Sequence, residues 1–355
     1  MHELAFPLLV ALIVLALAFD FLNGLHDAAN SIATVVSTQL LSPLMAVVFA
    51  AVGNFAAYWI VGLHVAETVG KGIIDKDVVT PAVVFGALVG AMFWNIVTWL
   101  KGIPSSSSHA LIGAMFWNIV TWLKGIPSSS SHALVGGIIG AGVAHAGLTG
   151  VQWGGLNKTL IAIVLSPTLG MILSTLIMLG TSWAGVRATA AGAERTFRAL
   201  HLVSSATYSI GHGLNDAQKT MGIIAVLLYS TGYLEGEFHV PHWVAISCYS
   251  AIALGTLSGG WRIIETMGTR ITKLSQHQGF SASTGGTVML VTASWFGIPV
   301  STTHTITGCI IGAGAARRAS AVRWQVAQNV LVAWLITIPA SATVAALFYY
   351  LTTLF

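Results

Sequence analysis

The chain has 355 residues, of which 55% are hydrophobic and only 7% are charged, and its mean hydropathy is +0.82. A soluble domain carries about 25% charged residues, so fifteen Lys and Arg with eleven Asp and Glu are too few to cover a soluble surface. This composition excludes a soluble enzyme, a disordered chain and a nucleic-acid-binding protein, and predicts an all-α polytopic membrane protein.

Six apolar stretches are long enough to cross a hydrocarbon core of about 30 Å. They cover residues 5–22, 44–64, 80–100, 159–183, 241–258 and 325–353. Shorter, glycine-rich apolar pieces lie between them and are predicted to form broken helices or re-entrant hairpins that line a cavity. They cover residues 28–36, 133–146, 202–214, 217–231, 284–296 and 304–316. Together these segments predict about ten membrane crossings.

Basic residues in the connecting loops predict the orientation of the chain in the membrane. Clusters of Arg and Lys at 187–198, 262–273 and 317–323 mark these three loops as cytoplasmic. The N-terminal end, residues 1–3, carries no Lys or Arg and is expected to face outward, as is the C-terminus after the last span. The first apolar run is long and lacks a preceding positive segment, so no cleavable signal peptide is predicted.

Two motifs recur in the same order in each half of the chain. GLHDAANS at 24–31 is similar to GLNDAQKT at 213–220, and GIPSSSSHALVGG at 125–137 is similar to GIPVSTTHTITGC at 297–309. The chain is therefore predicted to be a duplicated unit. Inverted-topology repeats are common in secondary transporters, which bind their substrate near the membrane midplane where the repeats meet.

The motif pairs divide the chain into two predicted inverted repeats, at 1–184 and 201–355, joined by a charged cytoplasmic linker at 185–200. A second, nearly perfect repeat lies inside the first half, where residues 90–112 and 113–135 differ at one of 23 positions. The corresponding motifs are also further apart in the first half than in the second, so one 23-residue copy is an insertion. Whether the duplication is natural or arose during assembly of the sequence stays open.

The duplication creates two Pro-Ser tips, one from Ser105 to His109 and the other from Ser128 to His132. Only one of them can occupy the central position. The second tip is favoured because it runs directly into the glycine-rich segment that follows, while the first stays a competitor.

Acidic residues at membrane depth are the first candidates for function, because a central charge costs roughly 2.5–3.5 kcal/mol to insert. Asp27 and Asp216 occupy equivalent motif positions and are predicted to be functional, with helix capping as the structural alternative. Asp20 lies on the same helical side as Asn23 and Asp27, and its role stays open between function and structure. Lys219 follows Asp216 by three residues and is predicted to pair with it.

The second candidates for function are the hydroxyl tips, which are the segments PSSSSH at 127–132 and PVSTTH at 299–304. Ser and Thr favour helix N-termini, where free backbone amides and the positive end of the helix dipole form an anion site. Two such tips facing each other would surround a small tetrahedral oxyanion with hydroxyl and amide donors. His132 and His304 lie at the ends of the tips, and either orient them or titrate.

An anion beside Asp27 and Asp216 poses an electrostatic problem. Like charges about 4 Å apart repel by about 4 kcal/mol at an effective dielectric constant of about 20, so cations or protons must neutralise the carboxylates. Moving a dianion into a cell against a membrane potential of about 100 mV costs about 4.6 kcal/mol. Two co-transported cations cancel this cost, and a third cation supplies a net driving force. The residues therefore predict symport over passive anion conduction.

Four segments resemble the paired signatures of the inorganic phosphate transporter (PiT) family. They read FDFLNGLHDAANSIAT from residue 19, GIPSSSSHALVGG from 125, HGLNDAQKTMGIIA from 212 and GIPVSTTHTITG from 297. The resemblance covers essentially the whole chain except the insertion. It implies a low-affinity phosphate importer of the plasma (inner) membrane, multi-pass and dimeric, which works by alternating access. It also implies coupling to Na⁺ or H⁺, or transport of a metal–phosphate complex.

The resemblance also implies the residues of the site. Those expected to contact phosphate are Asp27, Asn30, Ser129, Ser130, Ser131, Asp216, Ser301, Thr302 and Thr303. Those expected to hold the coupling ion are Asn23, Asp27, Asn215, Asp216 and Gln218. Phosphate, the lipid bilayer and a second copy of the chain are the expected partners, without an organic cofactor or nucleic acid.

Three other functions stay open. A sulfate permease of the same fold would bind an anion of the same shape, but sulfate cannot donate a hydrogen bond to Asp27 or Asp216, whereas protonated phosphate can. An intramembrane hydrolase would use a tip Ser with His132 or His304, but neighbours in sequence are not by themselves a catalytic pair, and no GxSxG motif is present. A passive anion channel would conduct without a cation gradient. The chain is expected to be a transporter and not an enzyme.

Overall fold

The computed structural model describes residues 6–60, 62–73, 78–100, 129–234, 236–259 and 266–354, whose regular secondary structure is helical. The predicted all-α class is thus confirmed for the described residues. In chain order their α-helices are α1 Phe6–Ser37, α2 Pro43–Ala56, α3 His64–Gly72, α4 Pro81–Leu100, α5 Ser130–Ala146, α6 Trp153–Ala184, α7 Ala190–Ser230, α8 His242–Ser258, α9 Gln276–Trp295, α10 Thr302–Arg317 and α11 Trp324–Thr352. Single 3₁₀ or π turns are Ala57–Trp59, Gly147–Gly150, Thr266–Arg270 and Ala319–Ala321.

Length and composition identify the candidate membrane spans. Within the described ranges four helical segments qualify, namely α1, Ser131–Gly150, α6 and α11. The segments Pro43–Trp59 and His64–Gly70, bent by 84° at a short break, add a fifth if they are counted together. The larger number of about ten crossings stays a prediction. Exposed Ile161, Val164 and Leu335 on α6 and α11 give these helices the apolar surface that a bilayer requires.

Some of the predicted short pieces belong to long continuous helices. Residues 28–36 lie in the 32-residue helix α1, and residues 202–230 lie in the 41-residue helix α7, so the prediction of separate pieces there is wrong. Their buried polar side chains bond to neighbouring helices, which leaves the helical backbone intact. By contrast, residues 133–146 and 304–316 do form short helices, α5 and α10.

The short helices α5 and α10 begin in the same way, each at a hydroxyl tip. Ser129 Oγ accepts a hydrogen bond from the backbone N–H of His132 over 3.3 Å, and Ser301 Oγ accepts one from His304 over 3.2 Å. These N-caps satisfy one backbone donor of each first turn and leave others free at the helix end. The two tips are therefore built alike.

The junction between the proposed repeats is shorter than its sequence indicates. Residues 185–189 are the non-helical residues between α6 and α7, and residues 190–200 form the first turns of α7. Thr189 caps α7 by accepting a hydrogen bond from the backbone N–H of Gly192.

Helices from the two halves pack against each other in equivalent pairs. Helix α1 packs on α8 and α2 packs on α7, while α5 packs on α11 and α6 on α10. A Cβ atom at Gly24 would collide with the carbonyl oxygen of Ile252, and one at Gly213 would meet the carbonyl oxygen of Asn54. Because Gly24 and Gly213 are equivalent in the motifs, each half makes the same close contact with the other.

The apolar core is divided by a polar layer. On α1, apolar residues up to Phe19 belong to one buried cluster, and those from Ala29 to Val35 belong to a second. Between these clusters α1 buries polar side chains, which are Asp20, Asn23, His26, Asp27 and Asn30. The candidate site lies in this layer.

Gly24→Ala is expected to destabilise the protein, because the new methyl group meets backbone atoms that cannot move aside. Overpacking of this kind costs roughly 1–3 kcal/mol. Gly180→Ala on α6 is the matched control, since a Cβ there has no neighbour within 4 Å. Thermal unfolding in detergent should show a lower Tm for Gly24→Ala but not for Gly180→Ala. Equal Tm values for the two variants would contradict the close contact between Gly24 and the backbone of Ile252.

Candidate functional site

Two long helices supply the charged groups of the site. Asp27 and Asn30 lie one turn apart on α1, and Asp216 and Lys219 lie one turn apart on α7. All four side chains are at most 3% exposed. Because charged groups are rarely buried without partners, the charges of Asp27, Asp216 and Lys219 must be compensated inside the protein.

The tip of α10 contacts both carboxylates. Thr303 Oγ1 donates to Asp27 Oδ1 over 3.3 Å, and Thr302 Oγ1 donates to Asp216 Oδ2 over 3.0 Å. Asn30 Nδ2 donates to Thr303 Oγ1 over 2.9 Å. Five residues that are predicted to contact phosphate are therefore brought together from α1, α7 and α10.

The tip of α5 joins the site through Lys219. The Lys219 ammonium forms an ion pair with Asp216 Oδ1 over 2.5 Å, as predicted, and donates to Ser131 Oγ over 2.6 Å. It also donates to the carbonyl oxygen of Val300 over 2.8 Å, and Ser131 Oγ donates to this same oxygen over 3.3 Å. One buried cation thus connects the two tips to α7.

His212 lies between Asn54 of α2 and the Asp216 carboxylate. Asn54 Nδ2 donates to Thr256 Oγ1 over 2.9 Å, and Asn54 Oδ1 lies 3.0 Å from His212 Nδ1. The other ring nitrogen, Nε2, lies 3.1 Å from Asp216 Oδ2. His212 thus connects α7 to α2 and places a ring nitrogen beside the Asp216 carboxylate.

The site contains more acceptor atoms than the described donors satisfy. Asp27, His212 and Asp216 each offer one ligand atom, and these atoms lie within 4.8 Å of one another. In the described part of the chain, Asn30 Oδ1 and Asn215 Oδ1 are buried without a hydrogen-bond partner. Since buried acceptors are normally satisfied, these atoms fit a bound cation or a ligand that donates hydrogen bonds.

Several predicted residues have other contacts. Gln218 is not brought to the site, because its Oε1 accepts from the backbone N–H groups of Val65 and Ala66 and its Nε2 donates to Gly62. Asn215 Nδ2 donates to Ser294 Oγ and to the carbonyl of Ile298, and so anchors the segment before the α10 tip.

Among the described side chains, Asn23, Ser129 and Ser301 have no hydrogen bond to the carboxylates of Asp27 or Asp216. Asn23 is buried on α1 with its Oδ1 unpartnered among the described residues. Ser129 and Ser301 use their hydroxyls as helix caps. Ser130 is the first residue of α5, and its side chain lies outside the described set, as do Ser128 and the competing tip from Ser105 to His109.

Sequence reasoning missed three residues at the site. His26 adjoins Asp27, and its Nδ1 lies 3.1 Å from Asp27 Oδ1. His212 lies one turn before Asp216, and this i,i+4 spacing within the motif was an available signal. Tyr208 lies one turn earlier still, where its buried hydroxyl donates to the Thr302 carbonyl over 3.3 Å. No sequence signal indicated that Tyr208 would support the α10 tip.

His132 and His304, the last residues of the two hydroxyl tips, are in contact with each other. The ring centres of His132 and His304 are 4.2 Å apart, and His304 stacks on Trp334 of α11 at 3.5 Å. The His132 ring nitrogens have no hydrogen-bond partner among the described residues. The histidines therefore pack the two tips against each other, and their titration stays a prediction.

The sequence model of the phosphate transporter family matches residues 23–116 and again 111–345. The two matches overlap inside the tandem duplication, as expected if one copy is extra. A relative from Rhizobium meliloti is 59% identical over 98% of this chain and 97% of its own length. One from Bacillus subtilis is 38% identical over 97% of each chain, and both are named "Probable low-affinity inorganic phosphate transporter".

A solved structure described as "The sodium-dependent phosphate transporter" has a TM-score of 0.79, covering 98% of this chain and 100% of its own. At 24% identity this likeness concerns the fold. The family and these relatives are transporters and not enzymes, which confirms that expectation. The resemblance noted from the motifs is confirmed as well, and the chain belongs to the phosphate transporter family.

Proposed function

We propose that this protein is a secondary active symporter that imports inorganic phosphate across the plasma (inner) membrane. Transport is coupled to Na⁺ or H⁺ and proceeds by alternating access. The observation that carries the proposal is the convergence of Asp27 and Asp216 on the hydroxyls of Thr303 and Thr302 at one helix N-terminus. Family membership supports phosphate as the substrate.

Phosphate binding follows from the donors at the tips. Thr302 and Thr303 on α10 and Ser131 on α5 offer hydroxyls, and the first turns of both helices offer backbone N–H groups. Lys219 adds a positive charge between the tips. A protonated phosphate oxygen can in turn donate to Asp27, whose Oδ1 already accepts from Thr303.

Cation coupling follows from the buried charge. Among the described residues, three buried carboxylates on α1 and α7, Asp20, Asp27 and Asp216, face a single buried Lys. Adding an anion increases this negative charge, so binding requires further cations or protons. The ligand atoms of Asp27, His212 and Asp216 supply a place for one of them.

The paired packing of the halves supports two inverted repeats, at 1–184 and 201–355, that meet at the site. Each half contributes one acidic helix, α1 or α7, and one tip helix, α5 or α10. Rocking of one half against the other then exposes the site alternately to the two sides. We also propose that the chain is multi-pass with both termini outside, and that it is a homodimer.

The central position of Ser131 supports the second tip, which begins at Ser128, as the working one. The hydrolase alternative loses support, since the Ser129 and Ser301 hydroxyls cap helices instead of bonding to an imidazole. Sulfate stays an alternative that the next experiment addresses.

Uptake of radiolabelled phosphate into proteoliposomes tests the proposal, with a Na⁺ or a pH gradient imposed in turn. The full chain is compared with a form that lacks residues 90–112, which retains the tip from Ser128 to His132. We expect both forms to accumulate phosphate under one of the gradients, and an ionophore that collapses this gradient to abolish accumulation. Accumulation of sulfate in place of phosphate, or phosphate flux that no gradient accelerates, would contradict symport of phosphate.

A further inference from the structure

We propose that Asp20 is the group that carries a proton during phosphate transport. This inference rests on the proposed symport, and it names both a coupling ion and the residue that binds it. Asp20 belongs neither to the hydroxyl tips nor to the Asp216–Lys219 pair.

The Asp20 carboxylate has only part of the hydrogen bonding that a buried anion requires. It is fully buried on α1, and Thr220 Oγ1 donates to its Oδ1 over 3.0 Å. The Cys248 thiol of α8 is a buried neighbour of this carboxylate. The second carboxylate oxygen of Asp20, Oδ2, has no hydrogen-bond partner in the part of the chain that the structure describes. A proton on this oxygen removes the uncompensated charge.

The groups around Asp20 provide no cation of its own. The titratable side chains that face it are Asp216 and Lys219 on α7 and Cys248 and Tyr249 on α8. Lys219 is bound to Asp216 and to the tips. Helices α2 and α4 also pack on α1 and contain no charged residue. The turn Thr266–Arg270 packs at the other end of α1, beside Ala33 and Ser37. Asp20 is thus a separate negative charge.

The surroundings of Asp20 favour a proton over a metal ion. Hard metal cations are held by several oxygen ligands, whereas a proton needs a single oxygen. The hydrogen-bond donor that the described residues give Asp20 is one hydroxyl, that of Thr220.

The fold does not require a carboxylate at this position. Asp27 and Asp216 are equivalent in the motifs, so the position equivalent to Asp20 is Ser209. There the Ser209 hydroxyl simply donates to the carbonyl oxygen of Ser205 over 3.0 Å. A small side chain therefore serves for packing in one half, while the other half carries an acid.

The location of Asp20 suits a carrier that does not touch phosphate. It precedes Asp27 by seven residues, which places it on the same face about 10 Å along α1. In the outward-facing state Oδ2 takes a proton from external water and an O–H bond forms. In the inward-facing state this bond breaks and the proton passes to cytoplasmic water. Each cycle moves one proton inward with the phosphate, and Asp20 returns to its starting form.

Asp20→Asn tests this assignment, because the amide keeps the size of the side chain but cannot release a proton. Two activities are measured in proteoliposomes: accumulation driven by a pH gradient, and exchange of internal for external phosphate without a gradient. We expect Asp20→Asn to lose accumulation at least about tenfold while exchange stays within about twofold of wild type. Asp20→Glu should retain accumulation, and so should Glu67→Gln, which changes an exposed carboxylate in the same way.

A second measurement uses the unmodified protein, in case Asp20→Asn does not fold. A pH-sensitive dye in lightly buffered vesicles should report proton movement with phosphate. Wild-type accumulation driven by Na⁺ without proton movement would overturn the role of Asp20 and leave phosphate symport standing. Full accumulation of phosphate by a folded Asp20→Asn variant would also overturn the role of Asp20. Loss of phosphate exchange by this variant would overturn it as well. Absence of any driven uptake by wild type would instead remove the proposed function itself.

Discussion

Asp27→Asn is expected to reduce gradient-driven phosphate uptake at least about 100-fold, which corresponds to roughly 2.7 kcal/mol of lost binding free energy. The amide oxygen can still accept the hydrogen bond that Thr303 donates, so the α10 tip should keep its place. What is lost is the negative charge that attracts a coupling cation and the acceptor for a protonated phosphate oxygen. Uptake into proteoliposomes measures the effect.

The control for this variant separates charge at the site from charge elsewhere. Glu194→Gln on α7 makes the same change at an exposed position and should leave uptake unchanged. Thermal unfolding should give Asp27→Asn a Tm close to that of wild type, because Asp27 is not part of the Lys219 ion pair. Uptake by Asp27→Asn at more than about one third of the wild-type rate would contradict a direct role for this carboxylate.

Lys219→Met is expected to lower the free energy of unfolding by about 3–5 kcal/mol, the cost of leaving one partner of a buried ion pair unpaired. The pair is almost inaccessible to solvent, with Lys219 3% and Asp216 0% exposed. The variant also removes the donor that holds Ser131 and the Val300 carbonyl together. Unfolding in detergent, followed by heat or denaturant, measures the loss.

The double variant Lys219→Met with Asp216→Asn distinguishes stability from function. It removes both charges, so most of the lost stability should return. Transport should not return, because the carboxylate that accepts from Thr302 and the cation between the tips are both gone. If the single Lys219→Met variant were as stable as wild type, the ion pair would not hold the tips as described.

The motifs indicated side chains that the structure brings together, but they misplaced the ends of two helices. Asp27 and Asp216 stood out because carboxylates are costly at membrane depth, and the hydroxyl tips because Ser and Thr mark helix starts. The structure brings Thr302 and Thr303 to these two carboxylates. The same polar residues suggested breaks in α1 and α7, yet both helices continue through them.

Contacts between distant segments could not be read from the sequence. Lys219 and Ser131 are 88 residues apart in the chain, and their contact depends on where the fold places the start of α5 relative to α7. The family resemblance implied Gln218, two residues after Asp216, as a ligand of the coupling ion. A helix turns by about 100° per residue, so Gln218 points to another side and caps the start of α3.

Dependence of phosphate binding on the coupling cation is the most direct test of the shared site. Equilibrium dialysis of the purified protein with radiolabelled phosphate gives the Kd at increasing Na⁺ concentration and at several pH values. If the cation neutralises Asp27 and Asp216, Kd should fall as the coupling ion is raised, and phosphate should tighten cation binding by the same factor. A phosphate Kd that is independent of both Na⁺ and pH would contradict a site in which the anion and its coupling ion bind together.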